Sequence, residues 1–243
     1  MAGSRITAPD IKIKIAGKEI SDHNISHVEC MSDLNQPCMA EITLANFGQG
    51  GGGGGGGGIM GALMGLLDLV GGAVESKRFS ATDKGGADVE IEMGIIGEGT
   101  KPVFKGSLSG FVPAFDTHTP VNVNIRAMNA LHPLSRERKT RTFVNRKEQD
   151  IISEIVSENK LSAKFGKEPP NLMHEHLHQN NMTDLEFLRV RASRTGRNLW
   201  VDIDNKTLYF VKYEKDQGPV ANLNYTLERS PGIKVATIKE IHG

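Results

Sequence analysis

The chain has 243 residues, 38% of them hydrophobic and 24% charged, which is ordinary for a globular protein and enough for one large or two small cores. Lysine plus arginine and aspartate plus glutamate each number 29, so no whole-molecule field draws it to nucleic acid or to an anionic membrane. The two cysteines, Cys30 and Cys38, are too few for a disulfide scaffold and lack the partners of a four-ligand zinc site; they read as reduced, buried thiols in neighbouring strands. Met1 to Arg5 lacks the basic and apolar regions of a secretory signal, so synthesis and folding in the cytoplasm are expected.

Ile11, Ile13 and Ile15 alternate with polar residues until Gly17-Lys18 turns the chain, the period-two signature of a half-buried strand pair. The same alternation recurs in residues 25–30, 39–44, 89–93, 103–108 and 121–125. Short strands at such spacing, with turn residues between them, predict a barrel or sandwich, so the first half is mainly β. A polyglycine run from Gly50 to Gly58 interrupts it and predicts a flexible tether. After it, Ile59, Leu63, Leu66, Leu67 and Val70 recur at spacings of three and four and form one apolar helical face. The stretch is shorter than a bilayer span and carries Asp68, so stable membrane insertion is not expected. That face either folds back on its own barrel, stays mobile as an insertion, or marks a subunit or channel interface.

Farther on, Arg136, Arg138, Lys139, Arg141, Arg146 and Lys147 form a basic run with Phe143 as its one aromatic. Stacking on bases wants more aromatics than that, so the run predicts a solvated strand whose charges pair with acids such as Glu137 and Glu148. Ile151, Ile152, Ile155 and Val156 then give an amphipathic helix near 147–160, and Pro169-Pro170 breaks the chain. In Met173 to His178, the imidazoles of His174, His176 and His178 share one strand face about 7 Å apart, a candidate metal set. Three ligands on one straight strand span too far to share an ion without a bend or a second chain, and H-E-x-x-H is absent. No nucleophile elbow or Walker lysine motif occurs, and the 29 acids single out no glycosidase pair, so no catalytic residue is assigned and no cofactor is implied.

The segment from Asn180 to Phe210 is the densest in local signals. Thr183 and Glu186 have capping-box spacing, Leu185, Phe187, Leu188 and Val190 supply the apolar positions of a helix near 183–195, and Gly196 suits its left-handed end. Arg191, Arg194 and Arg197 sit where the macrodipole favours cations. Leu199-Val201 and Leu208-Val211 then read as a hairpin turning at Asp204-Asn205.

This order, together with Val103 to Gly110 and the stretch from Ala130 through Phe143 to Ile155, resembles the late control protein D and VgrG family, hubs of contractile phage tails and injection systems. The resemblance covers residues 103–227. It implies an α+β chain that is mainly β, with two tube-type antiparallel β-barrel domains assembling as a ring. The division is 1–130, with the glycine-rich apolar insertion at about 48–76, and 131–243. It also implies a homotrimeric, non-enzymatic adaptor joining a sixfold inner tube to a threefold spike or needle within a baseplate, as a component of an assembled particle. Subunit pairing edges are expected from residues 11–15, 39–44, 199–209 and 235–241. The alternatives are a metal-dependent hydrolase using His174, His176 and His178, and a β-rich carbohydrate- or protein-binding module.

Overall fold

The computed structural model describes residues 9–20, 25–45, 86–97, 99–114, 122–212, 221–224 and 237–241. The chain divides into two compact units, Met1–Val211 and Lys212–Gly243. In the second, β13 (Ala221–Asn224) pairs antiparallel with β14 (Thr237–Ile241).

The first unit opens with seven strands. These are β1 (Pro9–Ile15), β2 (Lys18–Ile20), β3 (Ile25–Met31), β4 (Met39–Leu44), β5 (Asp88–Ile95), β6 (Gly99–Ala114) and β7 (Asn122–Met128). They form one antiparallel sheet in the order β2-β1-β5-β6-β7-β4-β3. Alternation works as expected here, since Ile13, Ile15, Ile42, Leu44, Val89, Ile91, Val123 and Ile125 turn to one side and bury together around Phe104. The other side carries matched charges, with Lys105 3.3 Å from Glu90 and Arg126 3.8 Å from Glu41.

Two bulges spoil the alternation along β6. The register against β5 shifts between Ile91 and Glu92, which leaves Val103, 40% exposed, out of the ladder, and the register against β7 shifts between Leu108 and Gly110. Between the bulges the backbones approach so closely that a Cβ on Gly106 would lie 2.5 Å from the Met128 carbonyl oxygen.

Among the described residues the seven-stranded sheet is open, with β2 and β3 as its edges and no ladder joining them. Nor are residues 13–15 and 39–44 free pairing edges, because Ile13 to Ile15 lie between β2 and β5, and β4 lies between β3 and β7. The cysteines are free but only half-buried, on β3 and just before β4, where Cys38 faces the Ser32 hydroxyl at 3.4 Å.

After β7 the pattern changes. A two-stranded antiparallel ribbon pairs β8 (Arg138–Lys147) with β10 (Met173–Thr183), and a three-stranded sheet runs β11 (Arg197–Val201), β12 (Thr207–Lys212), β9 (Ser162–Lys164). Two helices, α1 (Glu148–Glu158) and α2 (Asp184–Arg194), pack with them around a second core that includes Phe143, Ile152, Ile155, Leu188, Leu199 and Phe210. Because helices supply this core, the strands need not close on one another.

Each helix start is satisfied locally. At α2, Thr183 Oγ1 accepts from the Glu186 amide at 3.1 Å while Glu186 Oε2 accepts from the Thr183 amide at 2.9 Å, the reciprocal capping box. At α1 no side chain caps the end; the Glu148 and Gln149 amides donate to the Leu172 and Pro170 carbonyls instead. Pro169-Pro170 thus ends one run and caps another.

Two asparagines with left-handed backbones tie the first core to the second. Asn35, in the β3–β4 turn at φ 63°, lies along β11: its amide donates to the Leu199 carbonyl at 2.8 Å, and its Oδ1 accepts from the Leu199 amide at 2.8 Å. Asn205, in the β11–β12 turn at φ 55°, answers in the opposite direction. Its Nδ2 donates to the Lys105 carbonyl at 2.5 Å and its Oδ1 accepts from the Ala130 amide at 3.0 Å. Each half therefore sends one turn onto the other's backbone. Asn205→Ala should lower unfolding free energy by about 1–3 kcal/mol, because two backbone groups lose their partners, and Asn205→Gly should lose the same bonds while keeping the turn. Urea unfolding of both variants checks this, with the alanine variant expected to be the weaker.

Candidate functional site

The basic run lies on β8, and the helices bring acids to meet it. Lys139 Nζ is 2.7 Å from Asp184 Oδ2, Arg141 reaches Asp184 and Glu158 at 2.8 Å each, Arg138 meets Glu186 at 3.2 Å, and Arg146 meets Glu154 at 2.7 Å. Glu137 and Glu148 were the expected partners, yet the acids that engage come from α1 and α2. Asp184 is nearly buried and also accepts from Gln179 Nε2 at 3.1 Å, so the cluster joins the ribbon to the start of α2. Desolvation alone would lower Lys139, but its bond to Asp184 and the neighbouring acids outweigh burial and raise it.

A second cluster is deeper. Glu148, 1% exposed, accepts from Arg191 Nε at 2.7 Å and from Arg191 Nη2 at 2.6 Å, and His174 Nε2 lies 2.5 Å away. Burial pushes the Glu148 carboxyl up, and the hydrogen bonds from Arg191 and His174, with their charge, outweigh it and hold the group below the usual carboxylate range. With its oxygens bound to Arg191 and His174, Glu148 is poorly placed to act as a base or nucleophile. Arg191 was expected as a cation near the end of a helix. It lies there, in the last turn of α2, and is also buried to 4% exposure, one turn from Leu188 on the core side.

The three candidate histidines sit opposite Arg146, Val144 and Thr142 on β8 and enter three different settings. His174 joins Glu148, His178 Nδ1 pairs with the Thr142 hydroxyl at 2.8 Å, and His176 is exposed. Among the described residues no group of three or more His, Cys, Asp or Glu side chains is placed to hold a metal ion. Ile59, Leu63, Leu66, Leu67 and Val70 lie outside the described residues.

Two open cavities adjoin the asparagine joints. The first, about 560 Å³, lies beside Asn35 and is walled by Met182, Glu186, Arg189, Val190, Arg197 and Asn198. The second, about 420 Å³, lies beside Asn205 and is lined by Glu90, Lys105, His132, Arg136 and Asp204. Burial lowers His132, and the nearby Arg136 charge lowers it further. On the three-stranded sheet, Trp200 stacks on Tyr209 with ring centres 5.2 Å apart, and Lys164 Nζ lies 5.0 Å over the Tyr209 ring. Asn35 and Arg197 were not singled out as joint or cavity residues by sequence. The one available signal was the α2 periodicity, which puts Arg191 three residues after Leu188.

Residues 64–228 match the family model described as the Alg8 N-terminal domain, more than half of the chain. A search of curated proteins returns no match. Among solved structures, the 43 kDa tail protein of prophage MuSo2 from Shewanella oneidensis matches 91% of the chain at 13% identity, with a TM-score of 0.55. An E. coli component of the type VI secretion system, described as structurally similar to the T4 tail proteins gp27 and gp5, matches 89% at 15% identity and a TM-score of 0.51. A Francisella PdpA–VgrG complex matches 87% at 10% identity and a TM-score of 0.53. The chain spans 64%, 53% and 33% of the lengths of these three chains. Their fold is shared by this chain, whose described residues are mainly β, with largely antiparallel pairing and two α-helices. No described helix is long and apolar enough to cross a membrane.

Removing one partner of the buried ion pair should be costly. Arg191→Met should lower unfolding free energy by about 3–5 kcal/mol in denaturant titration, because Glu148 is left charged and buried. The pair also sets a pH slope. The folded Glu148 carboxyl lies below its unfolded value, so its contribution is complete above about pH 4.3 and is lost as pH falls from there through the folded value. Glu148→Gln should flatten that acid limb, measured by urea unfolding between neutral pH and pH 3.

Proposed function

The chain belongs to the family described as the Alg8 N-terminal domain and shares the fold of phage tail proteins, and from these two premises we propose that it is a structural hub of a phage tail baseplate or contractile injection system. It joins a sixfold inner tube to a threefold spike or needle as a homotrimer, with residues 1–130 and 131–243 as its two tube-type halves. The observation that carries this reading is the fold match over nine-tenths of the chain to a phage tail protein. The family description itself names no reaction, ligand or assembly.

The chemistry of the surfaces supports it. A sheet face on which Lys105 meets Glu90 and Arg126 meets Glu41 presents balanced charge, suited to line a passage without holding what moves through it. The buried carboxylates are bound by arginine and lysine, which suits a rigid part better than a catalytic one. The hydrolase alternative loses support where Glu148 and Thr142 already engage His174 and His178. The protein accordingly acts without a cofactor or catalytic centre, as a component of an assembled particle, with tube, spike and baseplate proteins as partners. Ile59, Leu63, Leu66, Leu67 and Val70 are assigned to a subunit or channel interface.

Sedimentation equilibrium of the full chain, alone and with its spike protein, tests the proposal. A mass of three copies is expected in at least one of the two conditions. A monomer in both would contradict it.

A further inference from the structure

We propose that the cavity between α2 and β11 is a binding site for a carboxylate borne on an apolar group, with the Arg197 guanidinium as its buried anchor. The site stands whether or not the chain forms a ring.

Among the described residues, Arg197 Nε is the one buried side-chain polar atom without a hydrogen-bond partner, on a residue only 7% exposed. Folded chains ordinarily satisfy such a donor, so a guanidinium left in this state suits a group that arrives from outside. Arg191 gives the contrast, since its Nε and Nη2 both reach the Glu148 carboxylate. Burial lowers the Arg197 pKa, and the charges of Glu168 and Glu148 oppose that fall without supplying Nε a bond. A planar guanidinium with a spare donor is matched by a carboxylate, which can accept from it in two places.

The rest of the cavity narrows the ligand. Arg189, exposed, adds a second cation to the lining. Glu186 is the one acid there, and its charge is already engaged: Oε1 accepts from Arg138 Nη2 at 3.2 Å and Oε2 from the Thr183 amide at 2.9 Å. Asn198 Oδ1 is likewise taken by Asn35 Nδ2 at 3.0 Å, so what Asn198 offers a ligand is its amide NH2. The polar groups left over are therefore mainly donors and cations.

Met182 and Val190 supply an apolar wall, and Val190 is itself 38% exposed. The volume, about 560 Å³, falls in the range of roughly 300–1,000 Å³ typical of pockets that enclose a compact ligand. A bare inorganic anion would meet the arginines and leave that wall wet. A carboxylate joined to an aliphatic group meets both. Two sources carry this chemistry, a small organic acid and the C-terminal end of a peptide.

The test is calorimetric titration of the full chain with hexanoate, N-acetylleucine and inorganic phosphate, with the arginine Nε–H signals followed by NMR. At least one of the two organic acids should shift the Arg197 signal saturably with a dissociation constant of about 1 mM or tighter, and phosphate should bind about tenfold or more weakly. Tighter binding of hexanoate assigns a small acid, and tighter binding of N-acetylleucine assigns a chain end. Arg197→Met should abolish binding while leaving the urea midpoint unchanged or raised, because an apolar side chain replaces an orphaned donor. Arg189→Met, at an exposed position, should leave folding intact and weaken binding by about tenfold. An Arg197 signal unmoved by both organic acids, phosphate bound as tightly as they are, or binding unchanged in either variant overturns the inference.

Discussion

The relation between the two cores rests on a pair of reciprocal hydrogen-bonded joints, each made by an asparagine in a left-handed turn. Asn35 engages the Leu199 backbone twice, and Asn205 engages the Lys105 and Ala130 backbones. Backbone groups at a strand edge are obligatory donors and acceptors, so whatever satisfies them fixes register as well as stability. Asparagine is suited to both tasks, because it tolerates positive φ and its amide can stand in for a peptide group. The Asn35 joint also blunts the exposed edge of β11, which would otherwise be a template for unwanted pairing. On the proposed hub reading such joints suit a subunit that repeats around an axis, because directional polar contacts hold two halves at one angle better than apolar packing alone.

Within the second half, buried charge plays the corresponding part. Glu148 begins α1, Arg191 closes α2 and His174 lies on β10, so one ionic cluster locks three elements. Asp184, with Lys139 and Arg141, does the same for the ribbon and the other end of α2. Such clusters add less net stability than apolar side chains of equal volume would, and breaking one is severe. Their value here is definition: the helices can dock in one register only.

Much of this was legible from residue patterns. Alternation in Ile11, Ile13 and Ile15 found β1, the Thr183 and Glu186 spacing found the capping box, and Asp204-Asn205 found the hairpin turn. These signals are local, and local geometry decides them. What failed depended on distant partners. The bulge at Val103 leaves that residue outside the ladder with β5, and no feature of its own neighbourhood announces that. Arg191 was read only as a cation near a helix end, because the carboxylate that pairs with it lies 43 residues away. The histidine row does lie on one strand, but its members meet different partners, a helix start, a threonine and solvent, which the strand pattern does not foretell. Strand spacing left barrel and sandwich both open, because which strands lie at the edges is a property of pairing order.

On the proposed hub reading, the fold shared with tail proteins and the matched-charge sheet face belong to a part that works by shape and repetition. Electron cryomicroscopy of the assembled particle tests that most directly. The account predicts density for three copies around the central axis, each at the junction of tube and spike and each touching its neighbour. Density placing a lone copy off the axis, or a ring with no contact to the tube, would contradict it.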